Sequence, residues 1–167
     1  MKPRLISISG AVHSGKTTVS RMIAAQMPNA FYLDGDMVSS WVGASQPTTA
    51  TIDGMLPDIH ERIIEMIKAS LSSELDIIVD FYFDDAVRNQ IVGALHDVKF
   101  DAKWFLLKPD KQKVLSGSAT RPELNSWEVD RIEYHYTGLR METKLAQVID
   151  STRQTPVETV KEIMEKL

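Results

Sequence analysis

The segment Gly10-Ala11-Val12-His13-Ser14-Gly15-Lys16-Thr17 matches the phosphate-loop pattern G-x-x-x-x-G-K-[ST] at every position. It follows a β-branched run, Arg4–Ser9, that predicts a strand, and it opens a helix predicted over Lys16–Met27. In that setting the loop wraps a phosphate with consecutive backbone N–H groups, and the helix dipole favours the same anion. The segment therefore predicts a nucleotide site; the plain alternative is a glycine-bearing turn that happens to hold a lysine.

The side chains of this loop have separate expected tasks. Lys16 places a positive charge beside the β- and γ-phosphates, which makes it a predicted catalytic residue, and the Thr17 hydroxyl can ligate Mg²⁺. His13 and Ser14 contribute mainly their backbone, with a direct role for His13 near the phosphates left open. The predicted cofactors are ATP and Mg²⁺. The predicted nucleotide-binding residues of the loop are Gly10, Ala11, Val12, His13, Ser14, Gly15, Lys16, Thr17 and Thr18.

Short apolar runs alternate with amphipathic stretches along the chain, a pattern typical of a parallel sheet wrapped by helices. The predicted fold class is α/β: a three-layer sandwich, the P-loop NTPase fold, with a five-stranded and mostly parallel sheet. The length of 167 residues suits one domain over residues 1–167. Strands are predicted over Arg4–Ser9, Ala30–Leu33, Asp76–Asp80, Lys103–Leu107 and Ala146–Ile149, and helices over Lys16–Met27 and Leu56–Leu71 and from Asp84, Pro109 and Thr155 onward.

Two of these helices carry clear start signals. Asp84 is a predicted N-cap, and Thr155 followed by Pro156 and Glu158 forms a predicted capping box. The inner face of the helix after Asp84 is predicted at Val87, Ile91 and Leu95, and that of the last helix at Val157, Val160, Met164 and Leu167.

Two carboxylates, Asp34 and Asp36, follow the second predicted strand. Ligands of a doubly wound sheet bind beyond the carboxyl ends of its strands, so both aspartates are expected near the phosphate loop and the acceptor. Asp36 is predicted to be the catalytic base or the group that orients the acceptor hydroxyl, and Asp34 a magnesium-side residue. The alternative is an Asx turn with Gly35, in which the aspartates satisfy local backbone donors.

The third predicted strand ends in Asp80, the usual form of a Walker B carboxylate that holds a magnesium-bound water. Phe81 and Tyr82 follow it directly, with Phe83 next. These aromatic side chains are predicted either to form the floor of an acceptor pocket, which makes Phe81 and Tyr82 candidate substrate-binding residues, or to pack in the core.

A polar break at Arg121–Ser126 separates two predicted helices and marks a predicted small lid, about residues 119–131. A kinase must shield the transferring phosphate from water, and arginine-bearing lids supply that shield together with positive charge. Arg121 is the first candidate for a catalytic and nucleotide-binding role, and Arg131 is a candidate for acceptor binding. The alternative for each is a solvated surface arginine. His60 and His135 are predicted to be ordinary polar positions.

Composition excludes several classes of protein. The chain has 19 Lys and Arg against 23 Asp and Glu, a formal charge of −4, which disfavours a nucleic-acid partner. It has no cysteine, which excludes disulfides and thiolate chemistry. The N-terminal segment is too short and polar for a signal peptide, and no run of about 18 apolar residues predicts a membrane span. We expect a cytoplasmic monomer or homodimer.

The loop, the Asp34-Gly35-Asp36 pair, the Arg121-Pro122 break and the C-terminal strand and capped helix resemble the small P-loop kinases of the shikimate, gluconate and adenylylsulfate kinase group. The run IIVDFYF and the distal IDST are most similar to chloramphenicol phosphotransferases. The resemblance implies that Asp36, or else Asp34, acts on the acceptor hydroxyl and that Arg121 is the lid arginine. Two departures are notable: KQKVLSGSAT lacks the adenine-packing arginine, and Asp80-Phe81-Tyr82 replaces the glycine pair that holds shikimate.

The expected function is transfer of the γ-phosphate of ATP to a hydroxyl of a small molecule such as an antibiotic, metabolite or nucleoside. The alternatives are a nucleoside or nucleotide kinase and a non-catalytic nucleotide-binding switch. A guanine-specific switch is disfavoured because LLKPD stands where an NKxD-like signature would follow the fourth strand.

Overall fold

The computed structural model describes residues 2–41, 49–116, 124–137 and 141–167. Five strands and seven helices alternate along these residues. The strands are β1 (Arg4–Gly10), β2 (Ala30–Asp34), β3 (Asp76–Asp80), β4 (Asp101–Leu107) and β5 (Gln147–Ile149). The helices are α1 (Lys16–Ala24), α2 (Gly35–Trp41), α3 (Thr49–Ser72), α4 (Asp85–Ala94), α5 (Lys111–Leu115), α6 (Ser126–Tyr136) and α7 (Pro156–Met164).

The five strands form one sheet in the order β2-β3-β1-β4-β5, and every pair is parallel. The predicted α/β fold with a five-stranded sheet is confirmed, and the sheet is parallel throughout. Strand β1 lies at the centre, where Ile8 pairs with Asp80 of β3 and with Phe105 of β4. The carboxyl ends of β1, β2 and β3 therefore meet at one edge of the sheet.

The sheet is buried on both faces, since β-branched and other apolar side chains of its central strands point alternately to each side. One core cluster joins the sheet to α3 and α4, and another joins it to α1 and α7. The first includes Leu5, Ile63, Ile67, Ile77 and Ile91, and the second includes Ile6, Ile23, Ile78, Phe105 and Ile163.

The predicted starts of α1, α4 and α7 agree with the structure, and those of α3 and α5 differ. Asp84 is the N-cap of α4, and its carboxylate accepts a hydrogen bond from the Val87 N–H. Thr155 and Glu158 form the predicted capping box of α7. Helix α5 does not open at Pro109, because Asp110 supplies the cap by accepting from the Gln112 N–H at 2.7 Å.

Several predicted bounds were wrong. Helix α3 begins at Thr49 rather than Leu56, ends at Ser72 rather than Leu71, and contains Pro57. Helix α1 ends at Ala24, before the turn that precedes β2. Val157 is 65% exposed, because the inward positions of α7 are Thr159, Val160 and Ile163. Helix α2, directly after β2, was not predicted.

None of the helices in the described ranges has both the length and the apolar character required to cross a bilayer.

Candidate functional site

The backbone of the phosphate loop has the left-handed residues that its curvature requires. Gly15 has φ 92° and His13 has φ 62°, a region that glycine enters freely and that side chains with a Cβ seldom adopt. The Lys16 ammonium donates to the Ala11 carbonyl at 3.2 Å, so the lysine folds back over the loop. Residues 11–15 therefore form the turn between β1 and α1, and the other loop residues predicted to bind nucleotide lie at the adjoining ends of β1 and α1.

The backbone N–H groups at the start of α1 can bind an anion. Gly15 is its N-cap and offers no side-chain hydrogen bond to the first helical turn, and that turn contains no acidic residue. The N–H groups of a first turn need acceptors from outside the helix, and the helix dipole adds positive potential at the same place. This end of α1 is suited to a phosphate.

Asp80 lies beneath this loop at the end of β3 and is 2% exposed. One carboxylate oxygen, Oδ2, accepts from the Tyr32 hydroxyl at 3.2 Å, while Oδ1 makes no hydrogen bond of normal geometry with the described residues. Burial raises the pKa of Asp80, and the nearby Lys16 ammonium and Thr17 hydroxyl oppose that effect. A buried carboxylate with a spare oxygen beside Lys16 and Thr17 is a fitting partner for a cation.

Asp34 and Asp36 lie at the end of β2 and in the first turn of α2, but their surroundings differ. Asp34 Oδ1 accepts from the Asp36 N–H at 3.1 Å, and Oδ2 lies 3.4 Å from an Arg21 guanidinium nitrogen. Asp34 thus makes the local Asx turn that was the alternative at this position. Asp36 is exposed, and its carboxylate makes no hydrogen bond with the described residues. Of the two, Asp36 is the carboxylate available to an acceptor.

The aromatic run after β3 divides between core and pocket. Phe81 and Phe83 are buried and pack edge to face with ring centroids 5.8 Å apart. The Ser9 hydroxyl fixes this segment, because it donates to the Phe81 carbonyl at 3.0 Å and accepts from the Phe83 N–H at 3.2 Å. Tyr82, between them, lines a cavity.

The cavity that Tyr82 lines has a volume of about 140 Å³ and is bounded by α3, the exit of β3, α4 and α6. The Arg131 guanidinium, 6% exposed, lies 4.8 Å from the centre of the Tyr134 ring in its wall. Arg131 is therefore a buried residue of this wall, not a solvated one. The cavity is lined by Leu56, His60, Tyr82, Asp84, Val87, Arg131 and Tyr134.

A direct contact joins the phosphate loop to α6. His13 Nε2 lies 2.8 Å from Glu128 Oε1, and Glu128 is also the capping-box residue that accepts from the Asn125 N–H at 3.0 Å. The helix that carries Arg131 is thus tied at its first turn to the loop that would hold the phosphates.

The structure brings together most of the predicted site residues and adds three that sequence reasoning missed: Tyr32, His60 and Glu128. Phe81 packs in the core beside the cavity and does not line it. Arg121 and residues 119–123 of the predicted lid lie outside the described residues. Within the rest of that range, Asn125 caps α6, which begins at Ser126. The apolar spacing of Leu56, Ile59 and Ile63 contained the signal for His60, since His60 lies four residues after Leu56 on the same helix.

No protein-family model matches the chain, and no curated protein matches its sequence. Solved structures do match its fold. The Deinococcus radiodurans tunicamycin resistance protein aligns with a TM-score of 0.64 and 16% identity, over 98% of this chain and 95% of that one. A gluconokinase from Sinorhizobium meliloti 1021 aligns with a TM-score of 0.62 and 17% identity, over 98% and 91%.

Chaetomium thermophilum Kti12 in complex with ADP-AlF3 also aligns, with a TM-score of 0.65 and 15% identity, over 97% of this chain and 96% of that one. These alignments extend over almost the full length of each chain. The chain therefore has the fold of the P-loop kinases.

Proposed function

We propose that this protein is an ATP-dependent kinase that transfers the γ-phosphate to a hydroxyl group of a small molecule. One observation carries the proposal. The buried Asp80 carboxylate has one oxygen without a hydrogen bond to the described residues, and it lies near Lys16 and Thr17 at the mouth of a complete phosphate loop. This combination supports a role for Asp80 in holding a cation beside the terminal phosphates of a nucleotide.

The nucleotide side of the site is supplied by the phosphate loop and α1. Backbone N–H groups of the loop bind the phosphates, and Lys16 leaves the Ala11 carbonyl to contact them. Thr17 and Asp80 would hold a magnesium ion, with Asp34 nearby, and the ion would neutralise phosphate charge. The described residues include no group of three or more His, Asp or Glu side chains that could hold a metal by themselves. That agrees with magnesium, which keeps waters and binds mainly through substrate phosphates.

The acceptor side is supplied by Asp36 and the cavity. The acceptor oxygen attacks the γ-phosphorus, the bond from phosphorus to the bridging β–γ oxygen breaks, and ADP leaves with that electron pair. Asp36 orients the hydroxyl and accepts its proton, while Asp34 holds the first turn of α2 in place through the Asp36 N–H. Arg131, and Arg121 from the predicted lid, would offset the charge on the transferring group.

The neighbouring structures support the general class of reaction. One is described as a gluconokinase and another holds ADP-AlF3, so the fold accommodates nucleotides and small acceptors. The resistance protein for tunicamycin is consistent with an antibiotic-like acceptor. Action in the cytoplasm, without nucleic acid or membrane and as a monomer or homodimer, remains part of the proposal.

The test is release of ADP from ATP and Mg²⁺ in the presence of hydroxylated metabolites, nucleosides and antibiotics. We expect one acceptor class to stimulate release. We expect Asp36→Asn to lower kcat by about 10²- to 10⁴-fold while ATP binding is retained, because a general base contributes about that much. Lys16→Ala should abolish turnover. The matched controls are Asp58→Asn and Lys166→Ala, which change an exposed carboxylate of α3 and an ammonium near the end of α7.

Nucleotide binding through Lys16 without stimulation by any acceptor would contradict the kinase proposal. The chain would then be a nucleotide-binding switch. Strong, saturable stimulation by a nucleoside monophosphate alone would instead identify a nucleotide kinase.

A further inference from the structure

One polar atom in the wall of the cavity has no partner. His60 Nε2 is buried and makes no hydrogen bond to any part of the chain that the structure describes. His60 lies on α3 and lines the same cavity as Tyr82 and Arg131. A buried donor or acceptor without a partner costs about 1–3 kcal/mol, so this nitrogen favours a partner from outside the described residues.

The imidazole is held in a fixed orientation by aromatic neighbours. Its ring centre lies 5.8 Å from those of both Phe81 and Phe83, in edge-to-face arrangements. Burial lowers the pKa of His60, with Asp84 acting weakly in the opposite direction, so the ring is neutral near pH 7. A neutral imidazole has one nitrogen that donates and one that accepts, and it therefore suits a hydroxyl, a carbonyl or an amide group.

The charges on the wall balance. Arg131 contributes one positive charge and Asp84 one negative charge, and the remaining described lining residues are neutral or apolar. The Asp84 carboxylate is already engaged as the N-cap of α4. Since the described wall carries no net charge, we expect it to bind an uncharged molecule more tightly than an anion.

The volume sets the size of what can enter. A cavity of about 140 Å³ is close to the ~150 Å³ that holds one benzene molecule in an engineered protein core. Aromatic and aliphatic side chains form most of the wall, which suits the faces of a single ring. A nucleoside monophosphate, with a base, a sugar and a phosphate, is too large for this space.

Two packed contacts link the wall of the cavity to Gly35, the residue before Asp36. Gly35, which precedes Asp36, is so close to Phe81 that a Cβ on it would lie 2.4 Å from the ring. Phe81 in turn packs against His60. Phe81 therefore lies between the first turn of α2 and the His60 side of the cavity.

We propose that His60 recognises the acceptor and that the acceptor is an uncharged molecule whose single-ring body enters this cavity and hydrogen-bonds to the His60 imidazole. The proposal rests on the kinase function above and names the substrate class of the same site. The alternative is that ordered water fills the cavity and satisfies Nε2, as in many buried polar sites.

The first experiment measures binding alone, by calorimetric titration and by the shift of the His60 Hε1 resonance. The probes are benzyl alcohol, which is an uncharged ring with a hydroxyl, mandelate, which adds a carboxylate to the same ring, and thymidine monophosphate. We expect benzyl alcohol to bind and to shift the His60 resonance. We expect mandelate and thymidine monophosphate to bind at least about 10-fold more weakly, as desolvation of an unpaired charge requires.

Variants test the role of the imidazole. His60→Phe keeps a ring against Phe81 and Phe83 but removes the hydrogen bond, so benzyl alcohol should bind about 10-fold more weakly. His60→Gln keeps a hydrogen-bonding group and should stay within about 3-fold of the unmodified protein. His96→Phe changes an exposed histidine and is the matched control. Thermal unfolding of each variant shows that the fold is retained.

The kinetic counterpart uses the best uncharged ring alcohol from the ADP-release panel. His60→Phe should raise the acceptor KM by about 10-fold and leave the KM for ATP unchanged. If an acceptor stimulates ADP release but does not respond to His60→Phe, the inference is wrong and the kinase function stands. If benzyl alcohol binds in a His60-dependent manner but no acceptor stimulates release, the kinase function is wrong and the binding site stands. Absence of binding by benzyl alcohol to the unmodified protein overturns the inference.

Discussion

The two ends of β3 carry aspartates in opposite circumstances. Asp76, at the amino end, accepts from the Arg4 N–H at 2.7 Å through Oδ1, and its Oδ2 accepts from Nε and Nη2 on one edge of the Arg4 guanidinium, at 3.1 and 2.7 Å. Asp80, four residues later, is more deeply buried and has one oxygen without a partner. Both carboxylate oxygens of Asp76 have hydrogen-bond partners, whereas one carboxylate oxygen of Asp80 has none among the described residues.

This difference separates stability from function along a single strand. At the amino edge a carboxylate joins β3 to β1 and contributes to the free energy of folding. At the carboxyl edge the spare oxygen of Asp80, the spare nitrogen of His60 and the left-handed His13 each cost folding free energy. Such costs gather where a ligand would relieve them, and here all three residues belong to the proposed nucleotide and acceptor sites.

Among the changes that test this comparison, the largest effect is expected when each aspartate of β3 is exchanged for its amide. Asp80→Asn should lower activity and the apparent affinity for Mg²⁺ by about 10- to 100-fold, because a group that supports a metal is lost. The same change should raise the thermal midpoint, since burial raises the pKa of Asp80 and its ionised form therefore destabilises the fold at pH 7. Steady-state kinetics over a magnesium series and thermal unfolding measure both quantities.

Asp76→Asn is the matched control and should show the reverse pattern. It should lower the free energy of unfolding by about 0.5–1.5 kcal/mol through the weakened Arg4 contact and leave kcat unchanged. If Asp80→Asn destabilises the protein and leaves the magnesium dependence intact, the contrast between the two ends is wrong.

The sequence predicted the nucleotide side of this edge better than the acceptor side, and the reason is physical. A phosphate loop binds through consecutive backbone groups, so its spacing is fixed within eight residues from Gly10 to Thr17 and is visible in one dimension. The strand that ends in Asp80 is similarly local. The fold followed from the alternation of buried runs with helical stretches, and the five predicted strands are all present.

The acceptor side joins residues far apart in the chain, and no local pattern reports them. His60 meets Phe81 and Arg131 only because α3, the exit of β3 and α6 converge. The 2.8 Å contact from His13 to Glu128 joins residues 115 positions apart. Helix α2 was missed because Asp34-Gly35-Asp36 favours a turn, and the structure contains both that turn and a helix that starts within it.

The second comparison is between two glycines, Gly35 in α2 and Gly93 in α4. Gly35→Ala at the carboxyl edge would place a Cβ 2.4 Å from the buried Phe81 ring, whose backbone is fixed by Ser9. We expect a loss of about 1–3 kcal/mol in the free energy of unfolding, as for other overpacked sites, together with a higher acceptor KM as Phe81 moves towards His60. Urea unfolding and steady-state kinetics measure these effects.

Gly93→Ala on α4 is the control, because a Cβ there meets nothing within 4 Å. It should stabilise the protein by about 0.5–1 kcal/mol through helix propensity and leave the acceptor KM unchanged. Equal stability changes for the two glycines would show that the first turn of α2 moves freely away from Phe81.

The contact between the phosphate loop and α6 should give a smaller effect. Glu128→Gln keeps the cap of α6 but removes the charge that faces His13 at 2.8 Å. We expect the KM for ATP and the acceptor KM to rise together, each by about 3- to 10-fold, because the loop and the helix that carries Arg131 lose their connection. Glu133→Gln, also on α6, removes the charge that contacts Lys111 of α5 at 2.6 Å and should change neither KM.

A double-mutant cycle identifies the contact itself. His13→Asn tolerates the left-handed backbone at that position and removes the imidazole. Its effect should be strongly reduced in the Glu128→Gln background. Independent, additive effects on both KM values would show that the loop and α6 are not coupled through these two residues.

The smallest expected effect is a pH dependence of stability that belongs to His60. Burial lowers its pKa below the ordinary value of 6.5, so the unfolded chain takes up a proton at a higher pH than the folded protein does. Stability should therefore be complete above about pH 6.5 and decline as the pH falls through the lower folded value.

In His60→Gln this decline should be shallower, measured by urea unfolding at pH 7 and pH 5, while His96→Gln, at an exposed position, keeps the original slope. Asp84 and Arg131, which share the cavity wall, are present in all three proteins, so the difference between slopes isolates the imidazole. Parallel slopes for His60→Gln and the unmodified protein would mean that His60 is protonated as easily in the fold as outside it, and the neutral wall proposed for the acceptor would be wrong.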